Sequence, residues 1–209
     1  MARLIGGIGR IDMIANEKMR VIDITQELFS CKVYPGDMAP TFERVKTIDP
    51  DNYNLTNIAL CVHNGTHIDA PKHFFADGKA IHELDLSVFF GKCTVVEFHG
   101  VVGENDIAAV LDNCHERLLL KGICELSDSG AYALANSHVK LIGVESQSVG
   151  NADHPLGVHM ILLEREIIPL EGLDLSAVEP GKYLLSAFPI SLEGSDGAPV
   201  RAVLLEHMI

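Results

Sequence analysis

The sequence predicts an α/β domain, and three observations lead there. Between residues 92 and 170, segments that read as strands alternate with segments of helical spacing, the signature of an α/β fold. At 209 residues with 47% hydrophobic and 6% aromatic content, the chain can bury one sizeable core. No internal repeat, low-complexity tract or linker divides it, so a single domain is expected over 19–209. Residues 1–18, Gly-rich and then polar, are expected as an N-terminal extension or arm outside that core.

Val21 to Thr25 reads as the first strand. Val33-Tyr34-Pro35-Gly36-Asp37 closes the next loop with Pro and Gly where a tight turn wants them, and Asp37 is expected there as a local hydrogen-bonding group. Phe42 to Ile48 alternates as a second strand and Leu55 to Val62 as a third, ending at His63. After Phe75, Ala76-Asp77-Gly78-Lys79 is a turn, followed by a short segment from Ile81 to Leu86 with Leu84 and Leu86 facing inward. Lys92 to Phe98 reads as a buried strand and Glu104 to Asn113 as a helix. Leu118 to Leu120 is a strand core, Ser127 to Asn136 a helix capped by Ser127 or Asp128, and Val139 to Val144 a further strand. Leu156, Met160, Leu163 and Ile167 recur at helical spacing across His154 to Glu166. Ile168 to Leu170 resumes extended structure, and the tail carries strands at Lys182 to Ala187 and Val200 to Glu206.

Charge and cysteine usage exclude several function classes. A formal charge of -13, from 16 Lys+Arg against 29 Asp+Glu, repels a phosphate backbone, and no basic run offsets it, so no nucleic-acid partner is expected. Five cysteines without a C-x-x-C pair suggest neither a disulfide framework nor a zinc ribbon and fit a reducing cytosol. The opening residues contain no unbroken apolar stretch, and no segment reaches the roughly 18 apolar residues that span a bilayer. The expectation is a soluble cytoplasmic protein without a membrane partner.

Chemistry concentrates between Cys61 and Phe74, which pack His63, His67, Asp69 and His73 into eleven residues. A helix would place Asp69 about 200° round the axis from His67, and Gly65 and Pro71 oppose a helix. Extended chain instead points His63, Gly65, His67, Asp69, Pro71 and His73 to one side, so that imidazoles and a carboxylate converge. Neutral histidines with one carboxylate suit a divalent ion that keeps open positions for water. Cys61 shares that face and is expected as a packed thiol.

His-Asn-Gly-Thr-His-Ile-Asp-Ala-Pro-Lys-His resembles, position for position, the H-x-G-T-H-x-D-x-P-x-H signature of the cyclase family, which includes bacterial kynurenine formamidases and isatin hydrolases. Asp23-Ile24-Thr25-Gln26-Glu27-Leu28, Tyr34-Pro35-Gly36-Asp37, Ile81 to Leu86 and Pro199-Val200-Arg201-Ala202-Val203 extend the resemblance over roughly residues 19 to 206. The fold it implies is a swivelling β/β/α, cyclase-like α/β architecture, with a central mixed sheet or partial barrel flanked by helices.

For the site, the resemblance implies that His63, His67 and Asp69 bind one metal, with Asp69 able to bridge to a second. His159 and Glu171 fall in the matching C-terminal sequence and would complete that second ion, with Glu164 and Glu166 as competitors if the helix is displaced. One or two divalent ions per subunit are implied, zinc or manganese first. His73 would be free of metal and act as general acid or base, since an unperturbed imidazole is half charged near neutral pH. A third ligand, or a group holding Asp69, are its other readings. The implied activity is a metal-dependent amidohydrolase cleaving the C–N bond of a small N-acyl amide (an aryl formamide) or cyclic amide by attack of metal-bound hydroxide. A lactone or ester hydrolase, or a metal-binding protein without turnover, are the alternatives. Phe42, Phe74, Phe75 and Phe188 are the candidates to line an apolar cavity in a chain that has no Trp. The family also implies a homodimer or homotetramer whose N-terminal portion reaches toward a neighbour's site. Leu4, Ile5, Ile8 and Ile11 in the extension are consistent with such an arm.

Overall fold

The structure, a computed structural model, describes residues 19–150 and 154–207. The expected arm over 1–18 lies outside the described residues. In chain order, β1 (Met19–Asp23) is followed by β2 (Thr41–Lys46), the single turn α1 (Ile48–Asp51) and β3 (Leu55–Ala59). The motif strand β4 (His67–Asp69) leads to β5 (Phe90–Glu97), β6 (Gly100–Val102), α2 (Glu104–Leu111), β7 (Arg117–Lys121), β8 (Cys124–Leu126) and α3 (Asp128–Ala135). Then come β9 (Leu141–Val144), α4 (Pro155–Glu164), β10 (Ile168–Glu171), β11 (Gly181–Ser186), β12 (Gly197–Pro199) and β13 (Val203–His207).

Nine strands form one mixed, open half-barrel sheet in the order β1-β13-β11-β5-β7-β9-β10-β4-β12. Its centre, β5-β7-β9-β10, is parallel, and antiparallel strands flank it on both sides. Parallel strands bury both faces, which fits the apolar centre of β7, Leu118 to Leu120, and the wholly apolar β9. Leu118, Leu120, Ile142 and Val144 turn toward Ile107 of α2, Ala131 and Leu134 of α3, and Val158 and Leu162 of α4. Leu119, Leu141 and Leu170 pack on the other face with Ile24, Ile68, Phe89 and Leu204. Of the two expected caps of α3, Ser127 is the one that accepts from the Gly130 N–H, at 3.2 Å.

Two expectations fail locally. Leu84 is buried but Leu86 is 63% exposed, because residues 81–83 and 86–88 form separate 3₁₀ turns rather than one extended segment. The third strand stops at Ala59, short of Val62, because the Asn64 N–H donates to the Cys61 carbonyl (3.0 Å) and the Asn64 Oδ1 accepts from the Cys61 N–H (2.9 Å), closing a turn. β2 and β3 pair as a separate hairpin whose Phe42, Val45, Leu55 and Ile58 side chains are exposed.

The sheet edge positions the site. β4 lies antiparallel between β10 and β12, with His67 opposite Glu171 and Asp69 opposite Gly197. Sheet pairing therefore brings a carboxylate 104 residues downstream of His67 onto the strand beside it.

Candidate metal centre

Within the motif only His67, Ile68 and Asp69 form a β-strand, so the expected period-two run from His63 to His73 is corrected. Gly65 takes φ +64°, a left-handed conformation that side chains resist, and turns the chain into β4. Pro71 opens a 3₁₀ turn, Pro71–His73, in which the His73 N–H donates to the Ala70 carbonyl at 2.9 Å. His67 and Asp69 share a face by strand period. His63 joins them from a turn and His73 from a 3₁₀ turn, so convergence is reached by three local conformations instead of one.

His159 comes from the middle of α4 and Glu171 from the end of β10. The His67 Nε2 lies 3.2 Å from Glu171 Oε2 and 3.5 Å from Asp69 Oδ1. The His159 Nε2 lies 3.1 Å from Glu171 Oε1 and 3.4 Å from Asp69 Oδ2. The His63 Nδ1 is 2.9 Å from Asp69 Oδ1. Asp69 thus meets His63, His67 and His159 with its two oxygens. The His67 Nδ1 sits 2.9 Å from the Gly65 carbonyl; a carbonyl only accepts, so Nδ1 carries a proton, and Nε2, which faces the carboxylates, is the nitrogen that would ligate a cation on giving up its own proton. Glu171 is fixed in turn by the Val149 N–H, which donates to its Oε1 at 2.7 Å.

Asp69, His67 and Glu171 are 1–2% exposed and His159 6%. Burial opposes charge on all of them, yet close partners override it. Hydrogen bonding and charge from Asp69, with Asp196, push His63 up to about 9. Asp69 and Glu171 push His159 up to about 10, and His67 is raised as well. His159 and His63 hold the Asp69 carboxyl far below its usual range, and His159 and His67 lower Glu171 against burial and the charge of Asp69. His73 moves the other way: burial keeps it below the ordinary imidazole value, and the nearby His63 adds to that although Asp69 opposes it.

These side chains fit a divalent ion. Ligand atoms of His67, Asp69 and Glu171 lie within 4.8 Å of one another, as do those of His63, Asp69 and His73, and Asp69 belongs to both groups. Two buried carboxylates facing three imidazoles are balanced by protons on the histidines when no metal is bound, and a divalent cation that displaced those protons would balance them as well.

All six sequence-derived residues meet here, around a cleft of about 180 Å³ that Tyr34, Asp37, Phe74, Gln147, Ser148 and Leu156 also line. Glu164 and Glu166 do not compete: both are exposed, and Glu166 pairs with Lys79 at 2.6 Å. Cys61 lies outside the lining residues, and burial pushes its thiol up, as a packed thiol should behave. Of the four phenylalanines only Phe74 lines the cleft. Phe42 and Phe188 are surface residues, and Phe75 packs on the core.

Sequence reasoning missed Asp196. Its Oδ2 lies 2.9 Å from His63 Nε2 and 3.2 Å from His73 Nδ1. In Gly-Ser-Asp-Gly it reads as an ordinary turn former, and the strand pairing that delivers it is 123 residues from His73. Asp37 was assigned a local role and also borders the cleft.

The chain is similar to known proteins in sequence and in fold. Residues 22–151 match the Cyclase family model. The chain is 34% identical over 206 aligned residues to a kynurenine formamidase of Salinibacter ruber, with 89% of this chain and 97% of the relative covered. It is 36% identical over 188 residues to a kynurenine formamidase of Delftia acidovorans, covering 82% and 90%. Among solved structures, a potential metal-dependent hydrolase with cyclase activity superposes with TM-score 0.79 at 25% identity, over 92% of this chain and 100% of the other. Isatin hydrolase A of Labrenzia aggregata superposes with TM-score 0.81 at 18% identity, over 91% and 94%, which speaks to the fold alone.

Proposed function

The chain belongs to the Cyclase family, and from that premise we propose that it hydrolyses the C–N bond of a small N-acyl amide, an aryl formamide, or a cyclic amide. Its relatives support amide hydrolysis with a divalent metal. The observation that supports the site assignment is that Asp69 faces both ways: its Oδ1 lies beside His63 and His67, and its Oδ2 beside His159. His63, His67 and Asp69 would hold one ion, and Asp69, His159 and Glu171 a second. An ion bound there supplies Lewis acidity at the acyl oxygen and acidifies water toward neutral pH.

The chain's own residues do the rest. His73 lines the cleft with its side chain 29% exposed, and its lowered proton affinity leaves it neutral near pH 7, ready to take a proton and return it to the departing amine. Phe74, Tyr34 and Leu156 give the substrate's apolar part a wall. This wall is consistent with an aryl or cyclic group, small enough for a cleft of about 180 Å³.

The donor set of His, Asp and Glu suits zinc or manganese. Core clusters on both faces of one sheet support reading 19–209 as a single catalytic domain. The exposed apolar side of the β2–β3 hairpin, where Phe42 meets Phe29 edge to face at 5.1 Å, favours a homodimer or homotetramer. All five cysteines are free, which favours the cytoplasm, and no helix among the described residues is long and apolar enough to cross a membrane.

The deciding experiment loads the purified chain with Zn²⁺ or Mn²⁺ and offers N-formylkynurenine, simple N-formyl aryl amines and isatin, with a chelator-treated control. Turnover that disappears on chelation and returns with metal is expected. A fully metallated protein that cleaves none of these amides overturns the reading.

A further inference from the structure

We infer that Asp196 is a positioning residue of this centre, orienting the ligand His63 and the proton carrier His73 through a single carboxylate oxygen. For His73 the inference rests on the hydrolase reading; for His63 it rests on geometry alone. The Asp196 Oδ2 lies 2.9 Å from His63 Nε2 and 3.2 Å from His73 Nδ1, and the two rings sit 4.2 Å apart. One acceptor oxygen faces two ring nitrogens. Among the described residues, no other side chain hydrogen-bonds the His73 ring.

The backbone holds that oxygen in place. Asp196 directly precedes β12, whose Gly197 pairs with Asp69 across the ladder. The Asp196 carbonyl accepts from the Ala70 N–H at 2.8 Å, and the Ser195 carbonyl from the Ile81 N–H at 2.9 Å. The Ser195 hydroxyl donates to the Gly197 carbonyl at 2.7 Å. Gly197 leaves room for the clamp: a Cβ there would lie 2.8 Å from His63 Cε1 and 2.7 Å from the Ile68 carbonyl oxygen. Ser195-Asp196-Gly197 therefore fixes the carboxylate to the motif strand and clears the space beside it for the His63 ring.

Tautomers follow from this arrangement. A neutral imidazole carries one N–H, and giving it to a carboxylate selects which nitrogen keeps the lone pair. His63 donates from Nε2 to Asp196, so Nδ1, which shares a proton with Asp69 when no metal is bound, is the nitrogen that would turn a lone pair to a cation held beside Asp69. The His67 ring is set the same way by the Gly65 carbonyl, through the opposite nitrogen. His73 donates from Nδ1 to the same Asp196 oxygen, which leaves Nε2 to take the proton. The Asp196 side chain is 45% exposed, against 1–3% for Asp69 and Glu171, so it stands at the rim and its replacement leaves the buried cluster intact.

The test compares Asp196→Ala and Asp196→Asn with the unaltered chain. Zn²⁺ affinity is measured by competition with a chelating dye, and kcat and KM at saturating metal on an N-formyl aryl amine. Asp196→Ala should weaken Zn²⁺ binding about 10- to 100-fold, the range typical of a group that orients a metal ligand. It should also lower kcat at least about ten-fold while KM changes little. Asp196→Asn keeps an oxygen acceptor and should recover part of both losses. Unaltered affinity and kcat in Asp196→Ala overturn the inference. So does equal impairment of both variants accompanied by an equal drop in melting temperature, which marks Asp196 as scaffold. If the unaltered chain cleaves no amide, the hydrolase reading falls by itself, and the Zn²⁺ affinities still decide whether Asp196 orients His63.

Discussion

The ring of Phe74 stacks on the imidazole of His159, with centroids 5.0 Å apart and planes 18° from parallel. Phe74 also touches His73 edge-on at 4.6 Å and lines the cleft, so one side chain braces a metal-ligand candidate, the proton carrier and the substrate wall. Phe74→Leu keeps most of the volume and removes the ring. An aromatic contact contributes about 1 kcal/mol beyond burial, so KM for an N-formyl aryl amine should rise about five-fold. An N-formyl alkyl amine should be affected less. Equal effects on both substrates would show that Phe74 only supports His159.

Asp69 faces the ligands of both proposed ions, His63 and His67 through Oδ1 and His159 through Oδ2, so its removal should cost both ions rather than one. Asp69→Ala should lose nearly all tightly bound metal, measured by elemental analysis after gel filtration. Glu171→Ala spares the His63–His67–Asp69 half, and its metal content should fall by about half, because a ligand set reduced by its carboxylate no longer closes the second site. Full stoichiometry in Asp69→Ala would rule out the proposed arrangement.

How far the sequence revealed this centre depends on how each residue reached it. His63, His67, Asp69 and His73 are legible because they are close in sequence, although strand period alone does not bring all four together. Strand period aligns only His67 with Asp69, while Gly65 and Pro71 bend the chain to deliver the other two. His159 and Glu171 carried no local signal and came from the family pattern. Glu171 is placed by β10 pairing with β4 and His159 by α4 packing against β10, long-range relations that periodicity does not encode. Asp196 escaped for the same reason, arriving through β12 pairing with β4. The parallel strands of the core were legible because burial on both faces makes them continuously apolar. The β2–β3 hairpin was read as two strands, but its separation from the main sheet was not, since exposed Phe42 and Ile58 look like core residues in sequence.

Among the described residues, His73 is the motif histidine with no ion pair to Asp69 or Glu171; its ring hydrogen-bonds Asp196 and lines the cleft. His73→Ala should retain wild-type metal content and lose turnover by roughly 10²-fold or more, the scale of a missing general acid–base group. Loss of one ion instead would make His73 a ligand with His63 and Asp69, the grouping that their proximity also permits.

The buried charges set the pH behaviour of the metal-free protein. His63 and His159 are raised from 6.5 to about 9 and about 10, with burial opposing the shift and Asp69, Glu171 and Asp196 overcoming it. A group that binds its proton more tightly when folded adds stability that is fully present below its unfolded value and lost as pH rises through its folded value. These two histidines therefore stabilise the chelated chain below about pH 6.5 and cease to do so between about 9 and 10. Asp69 and Glu171 are lowered, so their contribution is present above their ordinary values of 3.8 and 4.5 and is lost on acidification. The melting temperature of chelated protein should peak between about pH 5 and 6.5 and fall by pH 10, and His159→Gln should flatten the alkaline limb. Metal ligands must be deprotonated, so Zn²⁺ uptake at pH 7 should release protons, and its apparent affinity should strengthen as pH rises toward 9. Titration calorimetry in buffers of different ionisation enthalpy measures that release. A melting temperature flat from pH 6 to 10 in the chelated chain, with no proton release on loading, would mean that these histidines are neutral before the metal arrives.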